Sequence, residues 1–403
     1  MNAFSGKYTT IIILICVLIA GCKKSQTSVL PLRYIEPVSD SCRHEPDHHY
    51  LVSFPDNIPP QQRLPLILAI DPHGDGRLAA EKFSEALVDI PIVIAGSDKI
   101  RNNYQGFESS IAHLVDDVPA KYPADPDKVI IAGFSGGARM AYYYGRNHKV
   151  LGTIMFGAGP GQMNRASDDK RVYAVSGTRD FNFMEQYLPP FSNQEDPGYV
   201  CDFFRGTHDW PPPEKIYESV AYMLKDEPDL SESISTRITE NMLLEYDSLL
   251  KSNDLFFAGK ALEKALRFSP DSKHKNQVNQ IINDFKNSPG WSNYIKNFEG
   301  YLQKEIKLKR AYAEKLADPD TSWWKKETQS INQNILSCSD PVKEDFLYRL
   351  KGFIGIILYS QINSTLKNGL HTDELDRLLV IYEMAEPESP DLIKFKSRIQ
   401  QIP

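Results

Sequence analysis

A serine set among glycines is the first part of the chain whose residue types suggest chemistry. Residues 133–137 are Gly-Phe-Ser-Gly-Gly, between the apolar run 129–132 and the helix-forming run 138–141. A strand that enters a helix through Gly-x-Ser-x-Gly holds its serine in a sharp turn, and side chains in place of the glycines would collide with neighbouring backbone. The pattern predicts that Ser135 is an exposed nucleophile, although a purely structural glycine turn can have the same pattern.

A nucleophilic serine needs a histidine as general base and an acid that orients the histidine. Asp180 follows the apolar run 171–177, just past the end of a predicted strand. His208 follows the last predicted strand and precedes a helical pattern. The order Ser135, Asp180, His208 is the order of these groups in α/β-hydrolases. We therefore predict a catalytic triad; the alternatives are a solvated loop acid and a structural histidine.

The tetrahedral intermediate of such a reaction needs two backbone N–H donors, one after the serine and one from the exit loop of an earlier strand. The apolar run 64–70 exits into Asp-Pro-His-Gly-Asp-Gly at residues 71–76. The predicted donors are the N–H of Gly136 and that of Asp75 or Gly74, with a plain glycine-rich turn as the alternative. A carboxylate facing the oxyanion would oppose catalysis. The Asp75 side chain is therefore expected to point away, unless the site disfavours anionic substrates.

Short apolar runs alternate with helical patterns between residues 48 and 225, as in parallel α/β proteins. Most of these runs are apolar without alternation, which is typical of strands covered on both faces. We predict an α/β domain over residues 45–225 with a mostly parallel central sheet. The apolar runs are 48–53, 64–70, 90–96, 128–133, 151–159, 171–177 and 198–204.

The sequence pattern changes after residue 225. The acidic, polar stretch 226–239 is interpreted as a linker, and residues 240–403 show helical patterns without a convincing strand. We predict an all-α domain there. Alanines at 258, 261 and 265 before Pro270 resemble the second helix of a tetratricopeptide repeat. Because a period of about 34 residues is not clear, an irregular helical domain is an equal interpretation.

The N-terminal residues predict export. A lysine precedes an apolar stretch that is too short to span a membrane comfortably and that ends in small residues. The segment 19–22, Ile-Ala-Gly-Cys, resembles a bacterial lipobox. It implies a signal peptide over residues 1–21, a lipid on Cys22 and a tether over residues 22–44. Lys23 favours the outer membrane or the cell surface over the inner membrane, and a plain signal anchor is the alternative.

Composition narrows the possible partners and cofactors. The chain of 403 residues is 41% hydrophobic and 25% charged, as soluble globular proteins are. A net charge of −7 offers no basic footprint for nucleic acid. The histidines and acids in residues 42–49 have the types of metal ligands. Consecutive histidines on a strand point to opposite faces, however, and no second cluster completes a shell, so we expect no metal and no cofactor.

Cysteine usage leaves one question open. After the predicted cleavage and lipidation, Cys42, Cys201 and Cys338 remain, an odd number that allows at most one disulfide. Whether Cys42 pairs with Cys201 does not follow from the sequence.

The segments 133–141, 176–183 and 206–213, with 123–133 before the serine, resemble the polyhydroxybutyrate depolymerase, feruloyl esterase and dienelactone hydrolase branch of the α/β-hydrolases. The resemblance covers roughly residues 45–225. It implies cleavage of carboxylic esters without a cofactor.

The resemblance also bears on the substrate pocket. Trp210 matches an aromatic residue that often lines the acyl pocket in this branch, although it could equally be a packing residue at the start of a helix. Phe134 and His73, beside the serine and in the glycine-rich loop, are also expected to line the pocket.

The predicted mechanism is a two-step acyl transfer through an acyl-serine. Residues 159–171 are too few for a large lid, so we expect an open site. An open site favours an ester carried on a larger molecule, such as an acylated polysaccharide. Two alternatives are a serine peptidase with the same machinery and an inert hydrolase-like scaffold or binding lipoprotein. In the scaffold, the helical domain would bind a protein partner.

Overall fold

The computed structural model describes residues 32–161, 171–187, 198–227, 231–318, 320–367 and 372–400. The predicted signal peptide and Cys22 lie outside these residues, so export and lipidation stay predictions. Within the described segments, no helix is long and apolar enough to cross a membrane.

Eight strands form one sheet. They are β1 (Val38–Cys42), β2 (Glu45–Ser53), β3 (Leu64–Ile70), β4 (Val93–Ser97), β5 (Ala124–Phe134), β6 (Gly152–Phe156), β7 (Val172–Gly177) and β8 (Tyr199–Phe204). Their order is β1-β2-β4-β3-β5-β6-β7-β8. The pairs β1/β2 and β2/β4 are antiparallel and all later pairs are parallel, which confirms the predicted mostly parallel sheet.

Helices cover both faces of this sheet, which explains the unbroken apolar runs. Every residue of β3, β4, β6 and β7 is buried. The helices are α1 (Gly76–Ala86), α2 (Phe107–Lys121), α3 (Gly136–Asn147), the short α4 (Phe183–Tyr187) and α5 (Pro213–Met223). Buried side chains of α1 and α5 share one core with one face of the sheet, and those of α2 and α3 share another core with the opposite face.

The region after the sheet is helical, as predicted, but it packs as two parts. Its helices are α6 (Ser231–Lys251), α7 (Leu255–Phe268), α8 (Ser272–Lys286), α9 (Pro289–Lys315), α10 (Ser322–Ser337), α11 (Pro341–Lys367), α12 (Asp373–Ala385) and α13 (Pro390–Ile399). Helices α6 to α8 continue the hydrophobic core on the α1/α5 face of the sheet. Helices α9 to α13 build a separate core of their own.

Two predicted boundaries need correction. Strand β1 lies inside the predicted tether 22–44, because residues 38–42 pair with β2 at the edge of the sheet. Helix α6 begins inside the predicted linker 226–239 and buries Ile234 and Ile238. The polar composition of the linker hid this helix, since Ile234 and Ile238 stand among polar residues.

The cysteine question is settled by the sheet order. Cys42 lies on β1 and Cys201 on β8, at opposite edges of the sheet, and both thiols are free. Burial raises the pKa of the Cys201 thiol to about 12, which makes it a poor nucleophile.

Candidate active site

The serine turn, residues 133–137, joins β5 directly to α3. Ser135 has φ 52° and ψ −117°, a conformation that is strained for a residue with a side chain. A Cβ on Gly137 would lie 2.2 Å from the carbonyl oxygen of Ile70, and one on Gly133 would lie 2.5 Å from the carbonyl carbon of Gly137. The two glycines therefore let the helix start against the strands, and this close approach keeps the turn sharp.

Asn102 also shapes this turn, although it was not among the predicted site residues. A Cβ on Gly136 would lie 1.7 Å from Asn102 Oδ1, so the amide occupies the space beside the residue after the serine. The Asn102 backbone is held by a 2.9 Å hydrogen bond to the Pro72 carbonyl. Its position in the exit loop of β4, at the same carboxyl edge as the other loops, was the signal that could have found it.

The three predicted catalytic side chains meet at this edge of the sheet. Ser135 Oγ lies 2.9 Å from His208 Nε2. His208 Nδ1 lies 3.0 Å from each carboxylate oxygen of Asp180. Asp180 is 1% exposed and also accepts a 2.7 Å hydrogen bond from the Asn182 N–H. The histidine is thereby held by both ring nitrogens, one toward the serine and one toward a buried carboxylate.

Aromatic rings enclose this histidine. The ring centroids of Phe134 and Phe181 lie 4.8 Å and 4.3 Å from that of His208. Together with the hydrogen bonds, these rings restrict the imidazole to one orientation and give the serine an apolar neighbourhood.

The predicted oxyanion loop, residues 71–76, is shaped by hydrogen bonds of Gly74 and Asp75. The N–H of Gly74 donates to the Asp71 carbonyl at 3.1 Å, so the loop closes as a turn and this donor is engaged. Asp75 points away from the serine, because its carboxylate caps α1 by accepting from the Leu78 N–H at 2.9 Å. The loop residues that line the cavity beside Ser135 are Pro72 and His73.

Trp210 lies behind the site rather than among the cavity-lining residues. Its ring stacks on Phe134 with centroids 5.5 Å apart, and it is 7% exposed. Its indole N–H points to the Asp71 carboxylate at 3.4 Å. Trp210 therefore supports Phe134, which does line the cavity, and its own role is packing.

The expected open site is a walled cavity of about 580 Å³. One side is the carboxyl edge of the sheet, with the serine, the histidine and their neighbours. The other side is formed by α11, α12 and the start of α13. Its lining side chains include Tyr348, Lys351, Ile356, Tyr359, Tyr382 and Glu386. The prediction considered only insertions within the α/β domain, whereas this wall comes from more than 130 residues after His208.

The acid loop, residues 178–183, is fastened to these helices. Arg349 of α11 is 1% exposed and donates to the Thr178 carbonyl at 2.7 Å. The same guanidinium donates to Glu305 of α9 at 2.8 Å and lies 4.7 Å from the ring centroid of Phe183. A buried, paired charge from the helical region thus fixes the backbone two residues before Asp180.

Two more cations strengthen the same junction. Lys309 of α9 donates to the Phe181 carbonyl at 2.9 Å and pairs with Glu305 at 2.8 Å. Burial lowers the pKa of Lys309, and the carboxylate of Glu305 offsets this only in part. Arg179 pairs with Asp345 of α11 at 2.8 Å. The loop that carries the predicted acid Asp180 therefore depends on helices that follow it in the chain.

His48 and His49, in segment 42–49, make hydrogen bonds within the edge of the sheet. His48 is buried and lies 2.8 Å from Ser97 Oγ, and His49 lies 3.0 Å from Ser41 Oγ. Within the described residues, no group of three or more histidine, cysteine, aspartate or glutamate side chains is arranged to hold a metal ion.

The strand order and the serine turn after β5 decide the fold. It is an α/β-hydrolase fold. No protein-family model matches the chain, and no curated protein sequence matches it.

Solved structures of hydrolases are similar to about half of this chain. Est1E from Butyrivibrio proteoclasticus is 15% identical over 48% of this chain and 100% of its own, with a TM-score of 0.35. Esterase 2 of Thermogutta terrifontis, in a form phosphonylated by sarin, is 13% identical over 48% of this chain and 96% of its own, with a TM-score of 0.37. A puromycin-hydrolysing peptidase of Mycobacterium tuberculosis is 13% identical over 49% of this chain and 39% of its own, with a TM-score of 0.37.

Proposed function

We propose that the protein is a serine hydrolase that cleaves carboxylic esters through an acyl-enzyme. One observation carries the proposal: a continuous hydrogen-bonded path runs from Ser135 Oγ through His208 to the buried Asp180, with steps of 2.9 Å and 3.0 Å. Such a path on a strained strand-to-helix turn has a direct chemical use, since it activates a hydroxyl that is otherwise a weak nucleophile.

The first step is attack of Ser135 Oγ on the ester carbonyl carbon while His208 Nε2 takes the hydroxyl proton. The Nδ1–H of His208 donates to Asp180, which steadies the imidazolium as it forms. His208 then gives its proton to the alcohol oxygen as the ester bond breaks. Water repeats the sequence on the acyl-serine, with His208 again as the base, and releases the acid.

The oxyanion of each tetrahedral intermediate is assigned to the start of α3. The N–H of Gly136 is in the first turn of that helix, where unpaired N–H groups and the helix dipole favour negative charge. The side-chain amide of Asn102 presents Oδ1, an acceptor, to Gly136, and a half-turn of this amide would present its NH2 group as the second donor. Loss of one such donor costs roughly a hundredfold to a thousandfold in turnover.

Location and substrate size extend the proposal. The lipobox-like segment 19–22 supports a lipid anchor on Cys22 at the outer membrane or cell surface. An anchored esterase suits an ester borne on a larger molecule, such as an acylated polysaccharide. The helical wall then requires that the acyl group and the unit that carries it enter the cavity together.

The test uses the purified protein, a short p-nitrophenyl ester, the matching p-nitroanilide and a fluorophosphonate probe. Ser135→Ala is expected to abolish both labelling and ester turnover, while Ser109→Ala, an exposed serine on α2, retains both. Labelling that persists in Ser135→Ala would contradict the nucleophile. Turnover of the anilide would favour the peptidase, and absence of labelling and turnover would favour the inert scaffold.

A further inference from the structure

The helical wall of the cavity has a composition of its own. Phe134 and Phe181 give the sheet side an apolar character next to His208, which suits an acyl group. The opposite side is formed by Tyr348, Tyr359 and Tyr382 together with charged side chains. A ligand that spans the cavity therefore meets an apolar end near the serine and an amphipathic end at the helices.

The helical wall is held at a fixed position relative to Ser135, so it can act as a binding surface. Arg349 and Lys309 fasten α11 and α9 to the backbone of the acid loop. A Cβ on Gly352 of α11 would lie 3.4 Å from the Phe181 ring, which is ordinary contact distance. The helix thus packs directly on the ring that flanks the catalytic histidine. A wall fixed in this way supplies preorganised contacts.

The tyrosines of the wall are positioned by their neighbours. Tyr382 is 4% exposed and its hydroxyl lies 2.9 Å from Ser389 Oγ. The ring of Tyr359 packs on Phe395 with centroids 5.5 Å apart. Tyrosine rings combine a flat apolar face with a polar tip, and they lose little conformational freedom on binding. Such rings suit a ligand with C–H faces and hydroxyl edges.

The charges of the wall are balanced and available. Lys351 and Glu386 both line the cavity, and neither makes a side-chain hydrogen bond or ion pair with the residues that the structure describes. Burial raises the pKa of Glu386, and Lys351 offsets this in part. A carboxylate that accepts and an ammonium that donates, with no excess of one sign, fit hydroxyl groups better than a charged ligand.

From this juxtaposition we propose that α11 and α12 form the alcohol-side subsite, which binds a neutral, hydroxyl-rich alcohol such as a sugar unit. The inference rests on the proposed esterase function. Glu386 and Lys351 hydrogen-bond the hydroxyls, and Tyr359 contacts the ring face. The C-terminal helices are then part of the specificity of the site, and a separate module for a protein partner is not needed to explain them.

The experiment compares two acetate esters of matched size, glucose acetylated at its primary hydroxyl and cyclohexylmethyl acetate. The ratio of their kcat/KM values isolates the hydroxyl groups, since the acyl group and the ring size are shared. Glu386→Gln and Lys351→Met are each expected to lower this ratio about tenfold, mainly through KM for the sugar ester. Glu383→Gln, on the same helix but exposed and paired with Lys396, leaves the ratio unchanged.

A ratio that stays at the wild-type value in both wall variants would overturn the subsite, while turnover that depends on Ser135 would leave the esterase proposal standing. If no ester is hydrolysed, the esterase proposal fails. The subsite is then tested by calorimetric titration of methyl glucoside into the wild type and Glu386→Gln. A preference for acetylcholine, the acetate ester of a cationic alcohol, over the sugar ester, lost in Glu386→Gln, would show that the subsite binds a cation and contradict the proposal.

Discussion

The serine turn and the acid loop carry neighbouring groups of the proposed triad but are held in place by different means. The serine turn is fixed by backbone packing against its own sheet, at Gly133 and Gly137. The acid loop is fixed by side chains from α9 and α11, and the hydrogen bond from Arg349 to the Thr178 carbonyl spans 171 positions in the chain. One side of the site is therefore local in sequence, and the other depends on the helical region.

The dependence of the acid loop on α9 and α11 gives the helical region a role in the site itself. Helices that only extended the protein could be altered without effect on the chemistry. Here Lys309 and Arg349 hold the loop that carries Asp180, and α11 and α12 wall the cavity above Ser135. Residues that follow the α/β domain in the chain thus complete the proposed active site. Substitutions at the serine turn and around the acid loop test the two means of support separately.

The largest effect is expected at the serine turn. Gly137→Val places a side chain where the Ile70 carbonyl oxygen is only 2.2 Å from the Cβ position. This oxygen belongs to strand backbone that cannot yield without moving the sheet. We expect a loss of about 4 kcal/mol or more in the free energy of unfolding and no fluorophosphonate labelling. Urea unfolding and probe labelling measure the two effects.

Gly300→Ala is the matched control. Gly300 lies inside α9, and a Cβ there meets no atom within 4 Å. Alanine is the better helix former, so this variant should be stabilised by roughly 0.5 to 1 kcal/mol with unchanged labelling. Equal behaviour of the two glycine variants would show that the close approach at Gly137 does not constrain the turn.

The next effect concerns the acid loop. Arg349→Met removes the donor to the Thr178 carbonyl and leaves Glu305 with Lys309 as its remaining partner. We expect a loss of about 3 kcal/mol in stability, because the buried Glu305 carboxylate loses one of its two cations and the Thr178 carbonyl loses the guanidinium donor. Because Asp180 loses its support, kcat should fall at least tenfold. Urea unfolding and ester kinetics report the two quantities.

Arg398→Met makes the same substitution at an exposed arginine of α13, whose guanidinium donates to Asn363. Its stability should change by less than about 0.5 kcal/mol and its kcat should not change. If Arg349→Met were destabilised but kept wild-type kcat, the helices would support the fold without positioning the acid.

The local side of the site follows from patterns that the sequence displays. Ser135, Asp180 and His208 follow apolar runs that are recognisable as buried strands, and parallel strands bring their carboxyl ends to one edge of the sheet. The mostly parallel sheet and the helical region were predicted for the same reason, since a buried strand and an amphipathic helix each have a periodicity that a single chain displays.

The long-range side could not be predicted in this way. Nothing in the spacing around Arg349 indicates that its partner is a carbonyl in the acid loop, because that contact depends on how α11 docks. Asn102 was missed since a loop asparagine has many structural uses. Gly74 shows a similar limit: its residue type allowed a free donor, whereas the turn pairs its N–H with the Asp71 carbonyl, and the N–H of Asp75 stays the other predicted donor.

The smallest effects on stability come from two carboxyl groups with opposite pKa shifts. One, Asp117, lies in the α/β domain, and the other, Glu386, lies on the helical wall. Burial alone would raise the pKa of Asp117 on α2, but hydrogen bonds from Tyr50, Arg43 and Lys121 outweigh it and lower the pKa to about 2. The unfolded chain binds more protons than the folded one between pH 2 and 4, so this stabilisation is lost as pH falls through that window. Asp117→Asn should cost about 2 kcal/mol at pH 7 and progressively less below about pH 4.

Glu386 on the helical wall should behave in the opposite sense, because burial raises its pKa. The folded chain then binds more protons than the unfolded one above the ordinary pKa of a glutamate, and stability falls as pH rises through that range. Glu386→Gln is therefore expected to be slightly more stable than the wild type at pH 7 and equal to it near pH 4. Urea unfolding of the wild type and both variants between pH 2 and 7 makes the comparison. A loss of stability at pH 7 in Glu386→Gln would show that the carboxylate has a partner that holds it charged.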